Sequence, residues 1–199
     1  MTQNVYPHKP IITDHEIAEF LKKRWSPLAF SDQPIAQETL NSLFEAIRWA
    51  PSSYNEQPWR VIYATQENPE EFTKLASLLA EGNVWAKNAY VLMLICAYTL
   101  FSQNGKENYH AVYDAGGAAE NLFLQAASMD LIAHQMAGFD REKAYTLLRL
   151  PQNVKPLAMI AVGYPSDAEN LSSDLQERHN APRVRKSIAE FVYKGVWKS

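Results

Sequence analysis

The sequence predicts an α+β domain in which helices flank a central sheet. Segments with the apolar spacing of helices outnumber about four stretches that suit strands, and the strands form no strict strand–helix–strand series. With 199 residues the chain is long enough to bury a core, and 47% hydrophobic and 21% charged residues are ordinary for a globular protein. One domain over residues 1–199 is therefore expected.

The first half of the chain carries signals for three helices and two strands. Thr13 and Glu16 have the spacing of a capping box, so a first helix is predicted to run to about residue 23. A second helix should end at Pro51, because the residue before a proline resists the α conformation. The other predicted elements are a strand over 60–65, a helix over 69–80 and a continuously apolar strand over 90–98.

The second half opens with a predicted helix over 110–128 that is rich in small residues. Gly116 and Gly117 each cost about 1 kcal/mol relative to alanine, which is tolerable where another helix or a ligand approaches closely. A strand over 131–136, a helix with Asp140 as its N-cap and a strand over 156–164 follow. The tail over 168–199 becomes basic and then aromatic, so we predict an arm that is exchanged with a partner subunit.

Composition argues against several functional classes. A net charge of −3 without a long basic run disfavours a nucleic-acid binder. The single Cys96 excludes an intramolecular disulfide, and the five histidines lack metal-ligand spacing, so no metal site is expected. The sequence contains no nucleophile elbow and no nucleotide-binding loop. With no signal peptide and no apolar run long enough for a membrane span, a soluble cytoplasmic protein is expected.

Two basic stretches are candidates for holding an anion. Arg24 and Ser26, two residues apart at the end of the first helix, can jointly bind a phosphate. On local grounds an ordinary arginine favoured by the helix dipole is the better interpretation. Arg183 and Arg185 share a face of an extended segment and could clamp a phosphate, although a solvated basic patch on a tail is the usual explanation.

The loop APSSYNEQPW over 50–59 is unusually rich in hydrogen-bonding side chains. Asn55 and Gln57 each present donor and acceptor groups, which suit a flat heterocycle with alternating N–H and C=O groups. A turn whose side chains cap their own backbone explains the same residues equally well. The loop alone does not decide between these interpretations.

Taken together, these stretches resemble the FMN-dependent nitroreductase family. Members of that family carry, in this order, an R-R-S-x-R-x-F-like segment, an A-P-S-S-x-N-x-Q-P-W loop, a D-x-G-x-A-x-x-N-L helix, a G-G-F-D-like turn and a basic pair. The corresponding stretches here are RWSPLAF (24–30), APSSYNEQPW (50–59), DAGGAAENL (114–122), AGFD (137–140) and RVRK (183–186). They cover most of the chain, and the loop is the most specific of them.

The resemblance implies a nitroreductase-like mixed or antiparallel sheet and a homodimer with FMN at two interface sites. NADH or NADPH would reduce the flavin, and a nitroaromatic, quinone or similar conjugated molecule would accept the electrons. The chemistry would belong to FMN, so no catalytic residue is expected. The small residues Ala115, Gly116 and Ala119 would then suit a tightly packed dimer helix, with close packing inside one subunit as the alternative.

The resemblance also assigns cofactor-binding residues in four groups. One group lies along the ribityl phosphate and pyrimidine, a second meets the isoalloxazine from the other subunit, a third lies near flavin N5 and a fourth neutralises the phosphate. In that order they are Arg24, Trp25 and Ser26; Pro51, Ser52, Ser53, Asn55 and Gln57; Met136, Ala137 and Gly138; and Arg183 and Arg185. Asn83 matches a looser position of the family.

Leu28 departs from the family's pattern, because many members carry arginine or lysine there. A positive charge at that position stabilises the anionic reduced flavin, so its loss should disfavour reduction unless another donor replaces it. Two alternatives to a general reductase therefore remain. One is an FMN-binding protein for storage or sensing without turnover, and the other is a specialised reductase of a single metabolite.

Overall fold

The computed structural model describes residues 6–197. The first five residues of the predicted domain and the last two residues of the predicted arm, 198–199, lie outside this range. The chain forms six α-helices and four strands among the described residues, and they are listed here in chain order. They are α1 (Glu19–Lys23), α2 (Gln37–Arg48), β1 (Trp59–Thr65), α3 (Pro69–Ala76), β2 (Val91–Tyr98), α4 (Ala111–Ser128), β3 (Ile132–Met136), α5 (Arg141–Leu147), β4 (Val154–Gly163) and α6 (Ser173–Asn180).

The four strands form one sheet in the order β1-β2-β4-β3, and every neighbouring pair is antiparallel. This confirms the α+β class and settles the mixed or antiparallel expectation as antiparallel. The central strands β2 and β4 are buried on both faces, as their continuous apolar sequences predict. The strands β1 and β3 lie at opposite edges of the sheet.

Two hydrophobic cores explain why β2 is apolar at every position. Because side chains alternate along a strand, Val91, Met93 and Ile95 face one core, which also contains buried residues of α2 and α4. Leu92 and Leu94 face the other core, which contains residues of α3 and of the 3₁₀ helix Glu81–Asn88. Residues from the segment that follows α1 pack into this second core. The sheet is thereby covered by a core on each face.

The predicted first helix is much shorter than expected. It spans only Glu19–Lys23, and Thr13–Glu16 are exposed without a capping box. The physical reason is packing, since α1 buries no residue and Phe20 is 52% exposed. A short helix that buries no apolar face has little to stabilise it beyond intrinsic propensity.

Other boundaries agree more closely with the sequence. Helix α2 ends at Arg48, shortly before Pro51, and α3 ends at Ala76, four residues before the predicted end. The N-cap at Asp140 is confirmed, because its carboxylate accepts a hydrogen bond of 2.9 Å from the backbone N–H of Lys143. No helix among residues 6–197 combines the length and hydropathy that a membrane span requires.

Helix α4 shows which small residues pack inside the chain. Ala115 and Ala119 are buried in the core, as the alternative of packing within one subunit predicts. Gly116 and Gly117 are exposed, and a Cβ atom at either position would have no neighbour within 4 Å. The glycines therefore lie on a face of α4 that its own chain leaves open.

Candidate functional site

The loop over 51–57, called here the amide loop, has a strained backbone. Tyr54, Asn55 and Gln57 have positive φ angles of 53°, 57° and 52°. This left-handed region is costly for residues with side chains, and such strain persists only where surrounding contacts maintain it. Tyr54 is 85% exposed and makes an edge contact with the ring of Phe101.

Hydrogen bonds fix the amide loop from inside and from α4. The hydroxyl of Ser52 accepts from the Gln57 N–H at 3.0 Å, and the Gln57 side chain donates to the carbonyl of Asn55 at 3.0 Å. The buried carboxylate of Asp114 accepts from the Ser53 N–H at 2.9 Å. Ser52 and Gln57 thus act partly as turn caps, whereas the Asn55 side chain is exposed. Asp114, the first residue of the DAGGAAENL stretch, had no predicted role.

At the other edge of the sheet, Met136 ends β3 and is followed by the turn residues Ala137 and Gly138. The carbonyl of Gly138 accepts from Asn83 Nδ2 at 2.9 Å and from the Ala80 N–H at 3.2 Å. A Cβ atom at position 138 would lie 2.8 Å from Asn83 Nδ2, so this contact requires glycine or a shift of Asn83. The structure therefore joins two residues, Asn83 and Gly138, that were predicted separately.

The segment 24–28 lies against β3, the strand that leads to this turn, because the Pro27 carbonyl bonds His134. Its side chains point in different directions. Trp25 is buried and donates its indole N–H to the carbonyl of Pro7 at 2.7 Å. Ser26 is exposed, whereas Leu28 is 3% exposed and belongs to the core. Leu28 therefore contributes no polar group to a site here, although its backbone N–H donates to His179 Nδ1 at 3.2 Å.

The tail residue Arg183 contacts this segment at the backbone of Arg24, and Arg185 follows it two residues later. Arg24 Nε lies 3.6 Å from a carboxylate oxygen of Glu120. Burial, followed by the charges of Arg24 and Arg185, lowers the pKa of Arg183 from its ordinary value. The Arg183 guanidinium donates to backbone carbonyls, whereas Arg185 is exposed and bonds the carbonyl of its neighbour Val184. The structure thus brings the two predicted basic stretches together.

Two histidines, His134 and His179, lie against the same segment, and neither was predicted as a site residue. His134 Nδ1 donates to the carbonyl of Pro27 at 3.1 Å, and its ring contacts Trp85. Burial lowers the pKa of His134, and the charges of Arg178 and Arg24 add to the effect. The two histidines are far apart in the sequence, so nothing in it indicated that both would contact this segment. Their contact depends on how the strands and helices pack.

Within one chain, the amide loop and the turn lie far apart. Met136 pairs with Met159, Met159 with Leu94, and Leu94 with Ile62, so Met136 and Ile62 occupy one row across the sheet. Three strand spacings correspond to about 14 Å. The amide loop precedes β1 and is farther still along that strand. One chain therefore does not bring all the predicted residues to one place.

Comparisons with known proteins agree with this fold and order of motifs. Residues 21–164 match the model of the nitroreductase family. The chain is 30% identical over 170 residues to the FMN reductase (NAD(P)H) of Bacillus subtilis, which aligns 77% of this chain with 67% of the relative. A solved structure described as an oxidoreductase containing FMN has a TM-score of 0.88 at 32% identity, covering 94% of this chain and 96% of the other.

A solved nitroreductase family protein from Clostridium difficile has the same fold. Its TM-score is 0.71 at 24% identity, and the match covers 92% of this chain and all of the other. The family model itself spans well over half of the chain, from α1 through the end of β4. The chain therefore belongs to the nitroreductase family.

Proposed function

We propose that this protein is an FMN-dependent oxidoreductase that uses NADH or NADPH as electron donor. The observation that carries the proposal is the hydrogen bond from the Arg183 guanidinium to the carbonyl of Arg24, which brings the two basic stretches of the sequence together. The descriptions of relatives as an FMN reductase and as an oxidoreductase containing FMN support the same conclusion.

The donor set suits FMN. A phosphate carrying two negative charges requires several cations, and Arg24 and Arg185 supply charge at this segment without being tied to a buried carboxylate. Bound FMN supplies the hydride chemistry, so the chain needs only to orient the flavin and adjust its surroundings. The residues we propose to form the FMN site, by contact or by positioning, are Arg24, Trp25, Ser26, Asn83, Met136, Ala137, Gly138, Arg183 and Arg185, and from the amide loop Pro51, Ser52, Ser53, Asn55 and Gln57.

We further propose a homodimer, because the amide loop and the turn lie at opposite sheet edges of one chain. Large side chains are exposed near the amide loop and the start of α4, including Trp49, Tyr109 and Tyr113. An exposed apolar surface of this kind is typical of an interface. A partner docked there would bring its amide loop to the first subunit's turn.

The tail supports the same arrangement. Its aromatic end is exposed, with Phe191 at 61% and Trp197 at 79%. The hydrogen bonds described for Ser187 and Tyr193 join tail residues to one another, as in the capping box of Ser187 with Glu190. The exposed part of the predicted arm, residues 187–197, is therefore proposed to pack on the partner subunit. Earlier in the predicted arm, Leu171, Leu175 and Arg183 contact their own chain.

Flat conjugated molecules such as nitroaromatics or quinones are the proposed acceptors. The purified protein is expected to be yellow, to bleach with NADH or NADPH under anaerobic conditions and to recover its colour when an acceptor is added. A panel of acceptors assayed with each donor identifies the substrate class. A colourless protein that gains no flavin spectrum on addition of FMN would contradict the proposal.

A second candidate is an FMN-binding protein without turnover. The observation in its favour is Leu28, which is buried in the core and supplies no positive charge to the reduced flavin. The two candidates differ in one measurement. A yellow protein that neither NADH nor NADPH bleaches without oxygen supports binding alone, whereas rapid bleaching excludes it.

A further inference from the structure

Arg183 makes a set of contacts that a phosphate ligand does not need. Its guanidinium donates to the carbonyl of Lys22 at 2.6 Å, of Arg24 at 2.8 Å and of Lys9 at 3.3 Å. Two backbone segments therefore meet at one side chain: the N-terminal segment at Lys9, and the end of α1 with the residue that follows it. Only arginine presents several N–H groups in a rigid planar fork that suits such a set.

These carbonyls need partners for a physical reason. The last four carbonyls of a helix have no acceptor role inside the helix, and Lys22 lies in the last turn of α1. A cation at that end also interacts favourably with the helix dipole. Because α1 buries no residue, these bonds from the tail are among the few tertiary contacts that hold its end.

Other contacts hold the same segment from both flanks. The hydroxyl of Tyr6 bonds the backbone N–H and carbonyl of Trp25, each at 3.1 Å. On the other side, the Leu28 N–H donates to His179, whose carbonyl accepts from Lys9. The N-terminal segment with Tyr6 and Lys9 and the tail residue His179 thus hold segment 24–28 between them. Arg183 of the tail contacts both the N-terminal segment and residue 24.

We propose that Arg183 is a positioning residue that fixes segment 24–28 through its backbone, and that Arg24 and Arg185 supply the charge that the flavin phosphate needs. This inference rests on the proposed FMN site. It differs from the assignment that the family resemblance suggests, in which Arg183 itself neutralises the phosphate. The distinction is testable, because a phosphate ligand and a positioning residue respond differently to the same substitutions.

The experiment compares Arg183→Lys, Arg183→Ala and Arg185→Ala, with Lys186→Ala as a matched control on the same basic stretch. The dissociation constants of FMN and of riboflavin, which lacks the phosphate, are measured for each by quenching of flavin fluorescence. Arg183→Lys and Arg183→Ala are both expected to weaken FMN and riboflavin by the same factor, roughly ten-fold. Arg185→Ala should weaken FMN alone, and Lys186→Ala should change neither ligand.

Lysine keeps the charge, but its single nitrogen lacks the planar fork that places separate N–H groups on these carbonyls, so it separates the two roles. If Arg183→Lys binds FMN as tightly as the wild type while Arg183→Ala does not, Arg183 is a phosphate ligand and the proposal is overturned. The same holds if the Arg183 variants bind FMN more weakly but bind riboflavin as tightly as the wild type. Unchanged affinity for both flavins overturns it as well. Should Arg183→Ala not accumulate as a folded protein, Arg183→Lys carries the comparison.

Hydrogen exchange of the flavin-free protein gives a readout that does not depend on FMN. The backbone N–H groups of Arg24, Trp25, Ser26 and Leu28 are expected to exchange faster in both Arg183 variants and at the wild-type rate in Arg185→Ala. Equal exchange in all variants would contradict a positioning role. If the wild-type protein binds no flavin at all, the proposed function fails, and the exchange data still decide whether Arg183 fixes this segment.

Discussion

At the scale of single residues, a few side chains fasten backbone that would otherwise be free to move. Asp114 holds the amide loop to α4, and His179 accepts a hydrogen bond from the backbone of Leu28. Arg183 joins the N-terminal segment at Lys9 to the end of α1. Each contact links segments far apart in sequence. The same residue types without these partners would be ordinary surface groups.

The Asp114 contact leads to a prediction about the amide loop. Asp114→Ala leaves the Ser53 N–H without its partner in a partly buried place, so unfolding should become easier by about 1–3 kcal/mol. Asp114→Asn, which keeps an acceptor oxygen, serves as the matched control and should cost less. Chemical denaturation of the flavin-free protein measures both. Equal stability of Asp114→Ala and the wild type would show that this bond does not hold the loop.

His179 makes the stability of the chain depend on pH. Burial, and then the charge of Lys9, lowers its pKa from the ordinary value of 6.5. The unfolded chain therefore takes up a proton first as the pH falls, so this contribution is complete above about 6.5 and declines below it. Protonation would also remove the Nδ1 acceptor of the Leu28 N–H.

The expected result is a loss of unfolding free energy between pH 7.5 and 5.5 that is smaller in His179→Gln than in the wild type. His15→Gln is the matched control, because it makes the same replacement at an exposed histidine far from this contact. Denaturant unfolding at several pH values measures the difference. Parallel pH profiles for His179→Gln and the wild type would exclude a role for His179.

At the scale of elements, a substitution on the open face of α4 can affect helix stability and dimer formation in opposite directions. Gly117→Ala adds a methyl group that meets nothing within 4 Å in its own chain, so it should stabilise the isolated helix by about 1 kcal/mol. If the partner's helix packs on this face, the same change should raise the dimer's dissociation constant. Gly82→Ala is the control, because its Cβ would also be unhindered and it lies outside α4.

Sedimentation equilibrium and denaturant unfolding, performed on the same samples, measure the two effects of Gly117→Ala. The combination expected is a more stable monomer with a weaker dimer. Unchanged association in Gly117→Ala would place the interface elsewhere on the chain.

The elements differ in how far they could be predicted from sequence. Strands β2 and β4 were predictable, because burial on both faces makes every position apolar. The end of α2 and the cap at Asp140 depend on local chemistry and were also predictable. Helix α1 was not, because its capping-box spacing says nothing about whether its apolar face finds a surface to pack on.

The same limit applies to the candidate site. The stretches that form it were recognisable as motifs, and the contact of Asn83 with Gly138 joins two of them. The partners of Arg183 were not recognisable, because backbone carbonyls carry no mark in the sequence. Spacing in an extended segment predicted a common role for Arg183 and Arg185, but their hydrogen bonds differ.

At the scale of the whole molecule, the sheet order is the main argument for assembly. The amide loop and the turn lie at opposite edges, so a site that contains both must take them from two chains. In the proposed homodimer, each site would depend on one subunit for its arginines and on the other for its amide loop. Two differently damaged subunits should therefore complement each other.

The test uses Asn55→Glu, which places a negative charge in the amide loop, and Arg185→Glu, which reverses a charge beside segment 24–28. Each homodimer should lose FMN binding and NAD(P)H oxidation. In a mixed dimer one site contains both defects and the other contains neither. Random pairing of equal amounts makes half of the dimers mixed, so about a quarter of the wild-type sites should return.

Co-expressed subunits carrying different affinity tags allow the mixed dimer to be purified, and its bound flavin is then counted per dimer. One FMN per mixed dimer, with activity restored in proportion, is the result that a shared site requires. If each chain instead contained a complete site, every subunit of the mixed dimer would still carry its own defect. Mixing would then restore neither flavin nor activity, because no chain would have an intact loop and an intact arginine cluster together.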